Sequence, residues 1–135
     1  MFKLNKELRG LSIAHRLKNY NGKCANLHGH WYRVEIAVEL EEQDKAGLSL
    51  DFNYFKVIDN WLQDNWDHIT LVYKEDTALL NFLKQENSKY YILEENTTVE
   101  NMCKELRKII DENKWLEGLN YKVRIWETPT SSCEL

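Results

Sequence analysis

From His28 to Leu40 the sequence alternates. His28, His30, Tyr32, Val34, Ile36, Val38 and Leu40 take the even positions, and Arg33, Glu35 and Glu39 stand among the odd ones. Successive strand side chains point to opposite sides, so this run can bury one side only as a β-strand with an apolar and a polar face. One long half-buried strand commits the chain to a sheet and sets two histidines in its inward row. Residues 11–16 repeat the pattern on a shorter scale, with Leu11, Ile13 and His15 on one face and turn-forming residues at 19–22. Tyr121, Val123 and Ile125 form a third row, continued by Glu127 and ended by Pro129.

Between the strands the period changes. Tyr54, Phe55, Ile58, Trp61 and Leu62 fall at helical spacing, as do Val99, Met102, Cys103, Leu106, Ile109 and Ile110. Thr97-Thr98-Val99-Glu100 predicts a capping box at the start of the second helix, Thr97 and Glu100 satisfying each other's backbone donors. A shorter helix is expected over 76–86, around Leu79, Leu80 and Leu83. Strands, then helices, then a further strand predict an α+β fold. The 135 residues, with one Pro and five Gly, leave no linker or repeat, so a single domain over 1–135 is expected.

Charge narrows the function. A formal charge of -4, with both signs mixed along the chain, offers no basic face for nucleic acid or anionic lipid. No apolar run serves as a signal peptide or a membrane span, so a cytoplasmic protein is expected. Three cysteines, Cys24, Cys103 and Cys133, are an odd number at wide spacing, which argues against a disulfide framework. Cys103 lies on the apolar face of its helix and reads as core; Cys133 has no evident companion.

The chemistry concentrates around the histidines. His28 and His30 share a strand face, and His15 can join them if its strand pairs alongside. Three neutral imidazoles with an open fourth position make a catalytic zinc arrangement; core or strand-end histidines are the plain alternative. Cys24 precedes the pair in Cys24-Ala25-Asn26-Leu27-His28-Gly29-His30, next to Lys23. A nearby cation or metal would favour its thiolate, a group able to take a proton; a free thiol or a fourth zinc ligand fits the spacing equally. Asp67-His68 can form an oriented imidazole, or merely a surface pair. Glu127 continues an apolar row, so its carboxylate is expected to approach a pocket, where it could hold an aminopyrimidine-type ring or form an ordinary salt bridge.

Taken in order, Ala14-His15-Arg16-Leu17, Cys24-x-x-x-His28-Gly29-His30, Gly47-Leu48-Ser49-Leu50-Asp51-Phe52, Asp67-His68, Asn96-Thr97-Thr98-Val99-Glu100-Asn101 and Trp126-Glu127-Thr128-Pro129-Thr130-Ser131 resemble the 6-pyruvoyl-tetrahydropterin synthase and 6-carboxy-tetrahydropterin synthase group across nearly the whole chain. The cysteine–histidine block is the most specific of these. The resemblance implies one zinc ion per subunit at His15, His28 and His30, Cys24 as the proton-abstracting base and Asp67 with His68 as a relay. It further implies Glu127, Thr98 and Glu100 as substrate contacts, with Lys23 and Arg16 as candidates for phosphate charge. The implied fold is the tunnelling fold, an antiparallel sheet with helices packed on one face, whose barrel closes when subunits associate. A homohexamer of two stacked trimers follows, with active sites at subunit boundaries.

The implied reaction converts 7,8-dihydroneopterin triphosphate to 6-carboxy-5,6,7,8-tetrahydropterin, releasing acetaldehyde and triphosphate on the route to queuosine. The alternatives are 6-pyruvoyl-tetrahydropterin synthase, which eliminates triphosphate and keeps the carbon skeleton, and a non-catalytic zinc- or pterin-binding homologue. Cys24 separates the chain from a subgroup with glutamate at the base position. Thr97 stands where the family's block usually has proline, and Ile69-Thr70-Leu71-Val72 departs from the usual continuation after Asp-His.

Overall fold

The computed structural model describes residues 1–135. Its elements in chain order are β1 (Phe2–Glu7), β2 (Leu11–His15), β3 (His28–Leu40), α1 (Lys56–Asn65), β4 (Ile69–Tyr73), α2 (Thr77–Gln85), β5 (Tyr90–Leu93), α3 (Val99–Glu112), β6 (Asn120–Thr128) and β7 (Ser131–Glu134). Short 3₁₀ turns at Lys23–Ala25 and Phe52–Phe55 precede β3 and α1. The 13-residue β3 is the axis of a seven-stranded sheet. β2 pairs with its first half and β1 with its second, and β6 runs along its other edge. The order β5-β4-β2-β3-β6-β7 leaves β5 and β7 as edges.

The alternating rows become the core. Leu11, Ile13, Tyr32, Val34, Ile36, Val38, Tyr121, Val123 and Ile125 are buried on one face, covered by Ile58 and Leu62 of α1 and by Met102, Cys103, Leu106 and Ile110 of α3. Each large apolar side chain so buried contributes about 1.5–3 kcal/mol. The same row runs out of apolar residues at the start of β3, and there the histidines stand.

Two details depart from an all-antiparallel sheet with helices on one side. β4 runs parallel to both β2 and β5, so the sheet is mixed. A parallel pair needs a crossover, and α2 provides the one between β4 and β5. Ile69 and Leu71 enter the main core, whereas Val72 packs with Leu79 and Leu83 of α2 in a separate cluster. Strand alternation therefore puts α2 on the reverse face. The predicted capping box also shifts by one residue. Thr98 is the N-cap of α3, its side chain accepting from the Asn101 N–H, and Glu100 lies in the exposed first turn.

Candidate metal centre and active site

Strand register assembles the three histidines. His15 stands directly opposite His28 in the β2–β3 ladder, and Ile13 opposite His30, so all three imidazoles emerge on the core face. Their ring centroids lie 4.7 Å (His15–His28), 4.9 Å (His28–His30) and 5.3 Å (His15–His30) apart. One potential ligand atom from each lies within 4.8 Å of the others.

Backbone carbonyls set two of the rings. The Nδ1 of His15 donates to the Thr97 carbonyl at 2.7 Å, and the Nδ1 of His28 to the Asn26 carbonyl at 2.6 Å. A carbonyl only accepts, so the proton of each neutral ring sits on Nδ1 and the Nε2 lone pair is left free for a metal. Burial supports the neutral form. It holds His15 below the usual imidazole range, against the Thr97 hydrogen bond, with His28 adding to the depression. His30 is lowered for the same first reason, against the pull of Glu127. Three clustered imidazoles, two with their tautomer fixed by a carbonyl, fit a zinc ion.

Glu127 faces this cluster from β6. Its Oε1 lies 3.6 Å from His15 Nε2 and 3.8 Å from His30 Nε2, and it accepts a 3.4 Å hydrogen bond from the Tyr32 hydroxyl. The expectation that this carboxylate turns inward is met. Tyr32, the next residue in the row after His28 and His30, lies 3.4 Å from His15 Nε2. Burial first, then the Glu127 charge and hydrogen bond, then Cys24, push its phenol well above the usual tyrosine range. Tyr32 is thus a site residue that sequence reasoning counted only as core, although its parity with the two histidines marked it.

Cys24 lies in the 3₁₀ turn before β3, half-buried, its carbonyl accepting from the Leu17 N–H at 2.8 Å. It is near enough to influence Tyr32 but is not a member of the three-histidine ligand group. Asp67 and His68 touch each other, His68 Nδ1 to Asp67 Oδ2 at 2.9 Å. Asp67 Oδ1 also accepts from the Ser12 N–H at 3.0 Å. Burial would raise its carboxyl, but the Ser12 N–H and the His68 side chain outweigh it and hold the group below the usual carboxylate range. His68 is exposed and borders an open cleft of about 490 Å³ that is also lined by Ser12, Ile13, Ala14, Gly29, His30 and Trp31. Within one chain the pair bonds to Ser12 and to each other and to none of the three histidines.

The remaining candidates have other partners. Thr98 caps α3 and Glu100 is exposed; neither bonds to the histidines. The Arg16 guanidinium is occupied by a bidentate pair with Asp76, at 2.7 and 2.6 Å. That pairing leaves Lys23 as the less committed of the two cations proposed for phosphate. Cys133 does have a companion. The buried Cys103 thiol donates to its carbonyl at 3.4 Å, and burial, reinforced by Cys133, pushes Cys103 up to about 12.

The sequence profile of the family described as 6-pyruvoyl tetrahydropterin synthase matches residues 3–135. A 6-carboxy-5,6,7,8-tetrahydropterin synthase from Haemophilus influenzae is 35% identical, the match covering 99% of this chain and 98% of the relative. One from Rickettsia felis is 32% identical over 90% and 91% of the two chains. Among solved structures, an uncharacterized protein from Wolinella succinogenes superposes with a TM-score of 0.84 at 17% identity, covering 99% of this chain and 97% of the other. The 6-pyruvoyl tetrahydropterin synthase of Caenorhabditis elegans superposes with a TM-score of 0.66 at 23% identity, covering 100% and 96%. These structural likenesses bear on the fold.

Proposed function

Because this chain belongs to the 6-pyruvoyl tetrahydropterin synthase family, we propose that it is a zinc-dependent 6-carboxy-tetrahydropterin synthase acting on 7,8-dihydroneopterin triphosphate. The names of the relatives support a pterin synthase and a lyase. The observation that carries the reading is the three-histidine cluster, with two Nδ1 atoms tied to carbonyls and Cys24 in the turn leading into β3, outside the ligand group. His15, His28 and His30 would hold the ion, whose bound form supplies Lewis-acid polarisation of a substrate side-chain oxygen.

The other steps fall to the protein's own groups. The Cys24 Sγ, as thiolate, takes a proton from the activated side chain and becomes a thiol, which suits a sulfur near the metal rather than bound to it. The Asp67 carboxylate orients His68 through Nδ1, leaving Nε2 to exchange a second proton. Glu127 accepts N–H bonds from the pterin ring, with Thr98 and Glu100 at the start of α3 bordering the bound substrate and Lys23 meeting phosphate charge. Since Asp67 and His68 bond to neither Cys24 nor the three histidines within one chain, the complete site draws them from a neighbouring subunit. This supports a homo-oligomer, for which the family resemblance implies a hexamer of two stacked trimers; the names of the relatives fit a role on the route to queuosine, and the protein is proposed to be cytoplasmic.

Incubation with 7,8-dihydroneopterin triphosphate tests the reading. We expect acetaldehyde and triphosphate in equal amounts. Triphosphate without acetaldehyde would move the chain to 6-pyruvoyl-tetrahydropterin synthase, and neither product would mark a non-catalytic binder.

A further inference from the structure

We propose that Thr97 is a positioning residue of the three-histidine site, gripping His15 and Arg16 at once; this rests on reading those histidines as metal ligands. Thr97 is completely buried and uses two of its groups on consecutive residues at the end of β2. Its carbonyl accepts the Nδ1–H of His15 at 2.7 Å, and its Oγ1–H donates to the Arg16 carbonyl at 2.9 Å. The first bond points the His15 ring; the second fixes where the first one points from.

A carbonyl can orient an imidazole only if its own peptide is held. On one side of that peptide Thr98 caps α3 through the Asn101 N–H. On the other, Asn96 brackets Lys18, its Oδ1 accepting the Lys18 N–H at 3.1 Å and its Nδ2–H donating to the Lys18 carbonyl at 2.8 Å. Asn96 sets the register of the two segments, but Thr97 alone touches both the ligand and its neighbour. Arg16 is anchored in turn by Asp76, the N-cap of α2. The end of β2 is therefore tied to the start of α3 through this threonine and to the start of α2 through Arg16. Without its hydroxyl the Arg16 carbonyl loses its side-chain partner and the 97–98 peptide can turn. The His15 ring then samples orientations that ligation must afterwards select.

The test compares Thr97→Val, which keeps shape and carbonyl but lacks the hydroxyl, with Thr97→Ser, which keeps the hydroxyl. Zinc affinity is read by competition with a chromophoric chelator, alongside thermal midpoints. We expect Thr97→Val to bind zinc about tenfold more weakly and Thr97→Ser to stay close to the unsubstituted protein. A purely structural threonine would shift the thermal midpoint without that split. Unchanged affinity in Thr97→Val, or an equal loss in Thr97→Ser, would overturn the proposal. The unsubstituted, metal-free protein gives an independent readout by ¹⁵N NMR. His15 must show the Nδ1–H tautomer, and an Nε2–H tautomer would overturn the proposal even if Thr97→Val does not fold. If the unsubstituted protein takes up no zinc, the metal reading fails, and the tautomer still decides the Thr97 contact.

Discussion

His15 is almost completely buried, with its Nδ1 spent on a carbonyl, and it works only as a neutral ring. In the metal-free protein, burial lowers His15 and His30, whereas in the unfolded chain both titrate near about 6.5. In the window between the folded values and that pH the unfolded chain binds more protons, so stability rises with pH. The contribution is fully present above the unfolded pKa and is lost as pH falls toward the folded ones. Urea midpoints of metal-free protein should therefore fall through mild acid; a flat profile would refute the neutral cluster. Cys24→Ala should keep its zinc and lose turnover by about 100- to 10,000-fold, the range of a lost general base. Zinc analysis and product assay on the same sample check both halves. At this scale the sequence exposed His28 and His30 by strand parity, and His15 conditionally. It could not expose the carbonyls of Thr97 and Asn26, because every residue has a carbonyl and only the fold decides which one meets an imidazole.

The long strand β3 was legible to its ends because thirteen residues of alternation have no competing explanation. β1, β4, β5 and β7 were not identified as strands. Their alternation is short, and pairing supplies what propensity does not. The parallel placement of β4 and β5 is invisible to local pattern, since it depends on where α2 crosses. The cap of α3 moved from Thr97 to Thr98 because the Thr97 hydroxyl is drawn to Arg16, a residue distant in sequence. Two substitutions measure these elements. Ile36→Ala, at a fully buried position of β3, should cost about 3–4 kcal/mol in urea unfolding. Asp76→Ala removes the cap of α2 and strands a partly buried Arg16, and should cost about 2–3 kcal/mol. A loss under half of either figure would mean that the pairing or the packing carries less than described.

For the whole molecule, the two candidate proton-transfer groups come from different segments, Cys24 from the turn before β3 and Asp67–His68 from the turn between α1 and β4. Neither Asp67 nor His68 bonds to Cys24 or to the three histidines within one chain, and His68 borders the open cleft that His30 also lines. The proposed site then spans two copies, and hybrids can test it. Co-expressed Cys24→Ala and His68→Ala chains should show activity that neither variant has alone, because one type of boundary in a mixed oligomer retains both groups. Hybrids as inactive as their parents would place each site within one chain. The most direct measurement of the central claim is zinc-edge X-ray absorption on the metal-loaded protein. The account predicts a first shell of nitrogen and oxygen at about 2.0–2.1 Å with imidazole scattering behind it; a sulfur at about 2.3 Å would make Cys24 a ligand instead of a base and contradict it.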